Sequence, residues 1–339
     1  MDFEISSTQQ AVADVATSVL DREISWSAMV DGGLTALAIP ERLGGDGLGI
    51  AEVSTLLTEV GRHGAVTPVF ATLGLAVVPL LDSASAEQQD RYLAGVAEGA
   101  VLTAALNEPG SALPDRPSVT LRDGQLSGTK IGVQVADQAQ WMLVTAEDAV
   151  VVVSPHAEGV RLTRTPASNG LSEYTVVFDN TAVDPADVLV GVSPRRINQL
   201  VLAMTGAYAD GLVAGALRLT ADYVAGREQF GKPLSTFQTV AAQLAEVYIA
   251  SRTIDLAAKA VIWGLDAGVD CDADLDVLGY WITSQAPPVM QLCHHLHGGM
   301  GMDISYPMHR YYSTIKDVTR MLGGVSHRLD LVGAQCSSI

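Results

Sequence analysis

Apolar residues recur at helical spacing in four segments before residue 100. These segments cover 8–20, 50–62, 66–81 and 86–98, and a repeat of three to four residues is typical of an amphipathic helix. The second helix is expected to end near Arg62, because a basic last turn followed by glycine is a common helix stop. The sequence therefore predicts a helical N-terminal region.

Strand patterns replace the helical ones after residue 100. The segments 141–145, 149–153 and 173–178 are short and rich in valine, leucine, threonine and aromatic residues, with glycines between them. This pattern predicts a small all-β module.

The helical period returns at residue 198. Two apolar stripes predict two long helices: Leu200, Met204, Tyr208, Leu212, Leu219 and Tyr223, and then Phe237, Val240, Leu244, Val247, Ile254 and Val261. The order of elements predicts a multidomain α+β fold. Its parts are an N-terminal α-helical domain at 1–99, a middle β-barrel or sandwich domain at 100–192, and a C-terminal four-helix bundle at 193–339.

The charge balance narrows the class of partner. The 339 residues include 20 Lys and Arg against 38 Asp and Glu, which gives a net charge of −18. Nucleic acids and anionic membrane surfaces favour clustered positive charge, so neither is expected as a partner. Hydrophobic residues make up 48% of the chain and charged residues only 17%. This excess of apolar residues favours a large core together with a subunit interface.

Signals for targeting and for disulfides are weak. The N-terminus, 1–4, is acidic and polar and does not resemble a signal peptide. The two long stretches without charge, 64–81 and 277–302, contain prolines and are expected to form buried helices and turns. Cys271, Cys293 and Cys336 form a scattered, odd set. We therefore expect a reduced, cytoplasmic enzyme or enzyme subunit without a membrane span.

Four segments in this order resemble the acyl-CoA dehydrogenase family. They are the Pro-Glu-Arg-Leu-Gly-Gly-Asp-Gly-Leu segment at 40–48, the end of the β module at 178–191, the Arg-Glu-Gln-Phe-Gly-Lys-Pro segment at 227–233, and Gly-Gly-Met-Gly at 298–301. The resemblance covers nearly the whole chain. It is strongest to the small subunit of actinobacterial α2β2 members that act on the cholesterol side chain. It implies the acyl-CoA dehydrogenase fold.

The resemblance also implies a reaction. Members of the family dehydrogenate the α,β-bond of an acyl-CoA thioester, with a carboxylate as the base and FAD as the hydride acceptor. The residues that match the ADP side of FAD, which the family binds mainly across a subunit interface, are Arg227, Gln229, Phe230, Gln238, His295, Gly298, Gly299 and Gly301. His295 stands where the family usually has glutamine.

The flavin-ring side and the catalytic base depart from the family pattern. The loop 107–114 lacks part of the usual Thr-Glu-Pro-small-Ser-Asp sequence, and 130–135 lacks the Trp-Ile-Thr that normally lies against the flavin. The position of the usual catalytic Glu falls on Leu322 or Gly323, and the alternative position near Asn198 also has no acid. No catalytic residue is therefore assigned.

Nearby carboxylates have a structural interpretation. Asp317 and Asp330 are expected to be solvated or salt-bridged helix residues. Glu246 is expected to be a satisfied structural carboxylate within an apolar helix. His327 and Arg328 are expected at the surface or in an interface.

A zinc site is the competing interpretation of one segment. Cys293, His294, His295 and His297 are dense in metal-ligand residue types, and His294 and His297 have helical i, i+3 spacing. No second ligand cluster accompanies them, so packing at a helix end beside the cofactor is preferred and no metal is assigned.

Three functional hypotheses remain. In the first, the chain is one subunit of a heteromeric acyl-CoA dehydrogenase that shares FAD with a non-identical partner in an α2β2 assembly, oxidises a steroid acyl-CoA and passes electrons to an electron-transfer flavoprotein. In the second, it is a non-catalytic scaffold or regulatory subunit that binds no cofactor. In the third, it is a homotetrameric dehydrogenase with an unusual base.

Overall fold

The structure, a computed structural model, describes residues 5–336, with nothing stated for the side chain of Cys336. The chain forms two compact units. One contains Ser6–Leu56 and Thr67–Met204, and the other contains Leu57–Val66 and the chain from Thr205 onward. The acidic segment 1–4 lies outside the described residues.

The N-terminal region is helical, as predicted. Ser6 caps the first helix and accepts a hydrogen bond from the Gln9 backbone, while the Gln9 side chain accepts one from the Ser6 backbone. This reciprocal pair satisfies two amides at the helix start. The helices are α1 (Ser7–Leu20), α2 (Trp26–Asp31), α3 (Ile50–Arg62), a buried π-helical segment (Phe70–Val77) that continues into α4 (Val78–Ser83), and α5 (Ala86–Tyr92).

The predicted helix at 86–98 is too long. Helix α5 ends at Tyr92, and turns follow in which Gly95 has φ +80° and Gly99 has φ +98°. A backbone in this region cannot continue a right-handed helix. The helical period of the sequence therefore extends beyond the point where the glycines end the helix.

Two sheets form the middle of the chain. The strands are β1 (Val101–Ala105), β2 (Thr120–Arg122), β3 (Gln125–Gln134), β4 (Ala139–Ala146), β5 (Ala149–Val153), β6 (Val160–Thr165) and β7 (Glu173–Ala182). One sheet has the order β1-β4-β5 and the other β2-β3-β7-β6. Met142, Val144 and Val151 from the first sheet share a buried core with Leu126, Val176 and Phe178 from the second.

The C-terminal region is helical and contains one short hairpin. Its elements are α6 (Pro194–Gly226), β8 (Glu228–Gln229), β9 (Lys232–Pro233), α7 (Gln238–Asp266), α8 (Asp272–His297), α9 (Met308–Met321) and α10 (Gly324–Cys336). The predicted fold class is confirmed: a helical N-terminal domain, a sheet middle domain and a helical C-terminal region. The boundaries at 99/100 and 192/193 stay a prediction.

Helix α6 is long and apolar enough to span a membrane by length and composition alone. In the structure, 89% of its most apolar stretch is buried within the protein. This degree of burial is that of a core helix. Close packing against α3 explains part of this burial. The backbone of Gly211 lies so near the Thr58 carbonyl that a side chain at position 211 would not fit.

Helix α6 also buries a carboxyl group. Asp210 is 7% exposed, and burial, together with the negative charge of Asp255, raises its pKa to about 7. Arg62, Lys259 and Arg252 act in the opposite direction. Asp210 is therefore close to half-protonated at neutral pH.

Candidate cofactor-binding site

The first predicted ADP-side segment is a tight hairpin. Strands β8 and β9 pair Glu228 with Pro233 and Gln229 with Lys232, and Phe230 and Gly231 form the turn with φ values of +54° and +77°. Two successive positive φ angles define the primed turn that fits the twist of a two-residue hairpin. Glycine adopts this conformation readily, whereas Phe230 is strained by it.

This hairpin presents its side chains outward. Phe230 is 91% exposed, and Arg227 and Gln229 are exposed as well. The ring of Phe237 supports the base of the hairpin: its centroid lies 6.1 Å from that of Phe230 and 4.4 Å from the Lys232 ammonium. Apart from its contact with Phe237, the Phe230 ring is therefore open to solvent.

Gln238 begins the helix that follows. It is the first residue of α7 and is exposed. Arg227, Gln229, Phe230 and Gln238 therefore lie within one short connection between α6 and α7.

The second predicted segment is the glycine-rich turn after α8. Gly298 has φ +56°, which favours glycine there on conformational grounds. A Cβ at Gly301 would lie 3.1 Å from the His297 Cβ and 3.2 Å from the His294 carbonyl oxygen. Two of the three predicted glycines are thus required by the chain's own structure.

Gly299 differs from its neighbours. It is exposed, its φ is not positive, and a Cβ placed on it would meet nothing within 4 Å. Nothing within residues 5–336 explains the absence of a side chain at that position. Close approach of an external ligand to the backbone would explain it.

An aromatic cluster brings the two segments to the same end of the helices. The rings of Tyr223 in α6 and His297 in α8 stack with centroids 4.6 Å apart, and Tyr306 packs against both. The hairpin begins one turn after Tyr223, and the glycine-rich turn begins directly after His297. Sequence reasoning overlooked this cluster because its members are separated by up to 83 positions (306 − 223).

The Cys-His segment does not converge on one point. His294 packs edge-on against Tyr312 at 5.1 Å, His295 is exposed, and His297 faces Tyr223 and Tyr306. Burial raises the pKa of Cys293 to about 11, so its thiol stays protonated at neutral pH. Within residues 5–336, no group of three or more His, Cys, Asp or Glu side chains is placed to hold a metal ion.

The loop at 107–114 contains a buried ion pair. Lys130 and Glu108 are 0% and 4% exposed, and Nζ lies 2.9 Å from Oε1. The carboxylate accepts further hydrogen bonds from Ser118 N and Oγ, both at 2.6 Å, and from Val119 N at 3.0 Å. Lys130 also donates to the Leu106 carbonyl and the Thr145 hydroxyl.

Electrostatics keep this pair ionised. Burial by itself raises the pKa of Glu108, but the hydrogen bonds from Ser118, Lys130 and Val119 lower it overall. Burial lowers the pKa of Lys130 to about 8, which leaves it mainly protonated at neutral pH.

The rest of this loop is closed by its own hydrogen bonds. Asn107 Oδ1 accepts from Leu113 N at 2.9 Å, and Asn198 Nδ2 donates to the carbonyl oxygens of Leu113 and Pro114 at 2.9 and 3.2 Å. Asn198 belongs to the region near which the resemblance places the alternative catalytic acid, and here its side chain holds the loop.

Gly132 lies in β3, within the segment 130–135 that lacks the Trp-Ile-Thr sequence typical of the family. It has φ +68° and lies at a break in the β3–β7 register between Lys130 and Val133. An L-residue with a large side chain is strained in this conformation. The backbone conformation at Gly132 therefore disfavours an aromatic side chain at this position, in agreement with the sequence.

The resemblance places the usual catalytic base at Leu322 or Gly323, and these two residues differ in burial because Gly323 is exposed. Leu322 is buried, and its carbonyl accepts a hydrogen bond from Arg328 Nε at 2.9 Å. Arg328 is only 3% exposed, so its expected surface position is wrong. Gly279 leaves the space that this side chain fills, since a Cβ there would lie 2.9 Å from Arg328 Cδ.

Three other carboxylates were assigned structural roles from the sequence: Asp317, Asp330 and Glu246. Asp317 is buried and pairs with Arg320 at 3.3 Å, as expected for a salt-bridged helix residue, and Asp330 is exposed. Glu246 is exposed on α7, where water can solvate its carboxylate, and its structural role stays a prediction.

Comparisons with known proteins identify the family and agree with the fold. The sequence model of the acyl-CoA dehydrogenase N-terminal domain matches residues 4–100, and that of the C-terminal domain matches 203–334. The chain is 73% identical over 337 residues to acyl-CoA dehydrogenase FadE28 of Mycobacterium tuberculosis, covering 99% of both chains. It therefore belongs to the acyl-CoA dehydrogenase family and is an oxidoreductase.

Two solved structures add a heteromeric context. The chain superimposes on a chain of the ChsE4-ChsE5 complex from Mycobacterium tuberculosis with a TM-score of 0.89, 27% identity and 100% coverage of both chains. It superimposes equally well, with a TM-score of 0.89 and 29% identity over 99% of both chains, on a variant of the Tcur3481-Tcur3483 steroid ACAD. A glutaryl-CoA dehydrogenase from Mycobacterium smegmatis solved with FADH2 shares the fold at 18% identity and a TM-score of 0.85.

Proposed function

We propose that this chain is one subunit of a heteromeric, FAD-dependent acyl-CoA dehydrogenase. The chain supplies contacts to the ADP end of an FAD whose flavin ring, together with the thioester and the catalytic Glu, is held by a non-identical partner. The proposed reaction is α,β-dehydrogenation of a steroid side-chain CoA thioester, as in cholesterol catabolism. FAD, when bound, supplies the hydride acceptor for this reaction.

The observation that carries the proposal is the contrast between the two halves of the cofactor site. All of the ADP-side residues except Gly301 are exposed, whereas Asn107 and Glu108 in the loop at 107–114 are buried and held by an ion pair and by hydrogen bonds within the chain. A chain that bound a whole FAD alone would need both halves open.

The exposed residues suit a nucleotide. The Arg227 guanidinium is a planar, permanently charged donor suited to a pyrophosphate. Phe230 offers a ring face, and Gln229 and Gln238 offer amide donors and acceptors. Gly299 allows a ligand to approach the backbone. The chain has a net charge of −18, which repels anions in general, so an exposed arginine provides a local positive charge to which an anion can bind.

Sequence similarity supports the partner and the substrate class. FadE28 is a close relative, and both superimposed structures are named as pairs of chains, one of them as a steroid ACAD. We therefore infer an α2β2 assembly, a steroid acyl-CoA substrate, an electron-transfer flavoprotein as electron acceptor, and a cytoplasmic location. We also propose that the chain divides into domains at 1–99, 100–192 and 193–339.

The scaffold hypothesis makes a different prediction about Gly299. A scaffold without cofactor has no use for an unexplained glycine beside an exposed Arg-Phe hairpin. Gly299→Ala in the co-expressed complex should leave the melting temperature of the apo-complex unchanged and lower the amount of FAD retained through gel filtration. Gly333→Ala, where a Cβ also meets nothing within 4 Å, is the matched control.

Arg227→Ala tests the charge separately. We expect lower FAD occupancy than in the exposed control Arg161→Ala on β6. Unchanged occupancy in both Gly299→Ala and Arg227→Ala would favour the scaffold and overturn the shared site.

A further inference from the structure

The turn that follows α8 is closed by one buried hydrogen bond. His297 is the last residue of α8 and is 2% exposed, and Tyr306 lies just beyond the glycine-rich turn. His297 Nε2 and the Tyr306 hydroxyl are 3.0 Å apart. The segment 298–305 is thus a loop whose two ends are joined side chain to side chain.

The direction of this hydrogen bond follows from the other ring nitrogen. Nδ1 lies 2.8 Å from the Cys293 carbonyl oxygen, which can only accept, so Nδ1 carries the proton. Burial lowers the pKa of His297, and the ring is neutral at physiological pH. In this tautomer Nε2 is the acceptor and the Tyr306 hydroxyl is the donor. The Leu219 carbonyl of α6 is a further hydrogen-bond partner of the ring.

The same ring also fixes the hairpin. It stacks on Tyr223 at 4.6 Å, and the Tyr223 carbonyl accepts a hydrogen bond from Arg227 N at 2.9 Å. One turn before Tyr223, the Thr220 side chain of α6 lies beside the Cys293 thiol of α8. The His297 imidazole thus contacts the last turn of α6, which precedes the hairpin, and joins the two ends of the glycine-rich loop.

We propose that His297 and Tyr306 are positioning residues for the ADP end of FAD, which hold the glycine-rich turn and the Arg227 hairpin at a fixed separation. The inference rests on the proposed function, because it assigns these two residues a role at that same site. Neither residue needs to touch the cofactor. Their effect is to preorganise two segments that would otherwise move independently.

Three variants separate hydrogen bonding from packing. Tyr306→Phe removes only the hydroxyl. His297→Asn keeps a donor near the place of Nδ1 but loses the acceptor at Nε2, and His297→Gln places an amide oxygen near Nε2. In the co-expressed complex, FAD release followed by flavin fluorescence should become about three- to tenfold faster in Tyr306→Phe and His297→Asn, and less so in His297→Gln.

Amide hydrogen exchange provides a readout that a local packing role would not change. In the apo-complex, Tyr306→Phe should speed exchange both in 298–302 and in 228–232, although Tyr306 belongs to neither segment. The double variant His297→Asn with Tyr306→Phe should release FAD no faster than either single variant. Additive effects, or faster exchange in 298–302 alone, would overturn the proposal.

Arg227→Ala distinguishes this inference from the proposed function. If Arg227→Ala speeds FAD release but Tyr306→Phe does not, the shared site stands and the positioning role is wrong. If neither variant changes FAD release, the shared site itself is wrong, and the positioning role is overturned with it.

Discussion

Removing Lys130 should be one of the most destabilising single changes in the β region. Lys130→Met keeps the length of the side chain but leaves the Glu108 carboxylate buried without its counter-charge. Breaking a buried ion pair by removing one partner costs about 3–5 kcal/mol. Three hydrogen bonds from Ser118 and Val119 remain on Glu108, which favours the lower end of that range.

The double variant isolates the interaction between the two charges. Glu108→Gln leaves a buried ammonium and turns an amide toward the donors of Ser118 and Val119. Lys130→Met together with Glu108→Gln should therefore destabilise by at least about 1 kcal/mol less than the sum of the single variants. Urea denaturation of the co-expressed complex, followed by circular dichroism, measures each change as a shift in midpoint.

An exposed ion pair in the same sheet is the control. Arg122 and Glu147 lie 2.7 Å apart but are 71% and 46% exposed, and Arg122→Met should cost less than about 1 kcal/mol. If Lys130→Met were as mild as Arg122→Met, the carboxyl group of Glu108 would not be charged in the folded protein. Our explanation of the closed loop at 107–114 would then be wrong.

Three further predictions follow from particular residues. The raised pKa of Asp210, about 7 against an ordinary 3.8, means that the folded state holds this proton more tightly, so its contribution to stability is lost as pH rises from about 4 to 7. Asp210→Asn should remove about 2.5 kcal/mol of the stability difference between pH 5 and pH 7.5, measured as urea midpoints at those two pH values; an unchanged slope would refute this. Gly132→Ala should cost about 1 kcal/mol in urea denaturation because of its positive φ, and a neutral result would contradict the strained register break. Cys293 should react with a thiol reagent at pH 7 only when the protein is unfolded, so labelling of the native complex at that residue would refute its burial.

The amphipathic elements were predictable because local period and burial agree. Helix α3 and strand β5 have the predicted bounds, and the predicted stripe of α6 is buried from Leu200 to Leu212. In β3, by contrast, Gly128 and Gly132 interrupt the alternation. The pairing with β7 shifts at both places, so no simple strand period remains in the sequence.

Long-range burial of polar side chains was not predictable. Arg328 is covered because Gly279, 49 positions earlier (328 − 279), leaves room for it, and no local pattern signals that contact. Glu108 and Lys130 belong to the two segments, 107–114 and 130–135, that differ from the family pattern. Their pairing could not be predicted, because it depends on how β3 lies beside the loop.

The candidate site was predictable only where a motif marked it. The Arg227 hairpin and the glycine-rich turn follow from the family resemblance, although their roles toward FAD stay predictions. The cluster of Tyr223, His297 and Tyr306 carries no motif. It is defined by the packing of the ends of α6 and α8.

The most direct test of the shared site is the amount of FAD bound per pair of unlike chains. This chain should be co-expressed with a non-identical acyl-CoA dehydrogenase chain from the same organism, taking the product of a neighbouring gene first, and the purified complex measured for flavin absorbance against protein. We predict about one FAD per pair of unlike chains and a colourless or insoluble product when this chain is expressed alone. A yellow assembly of this chain alone that oxidises an acyl-CoA, or about two FAD per pair, would contradict the account.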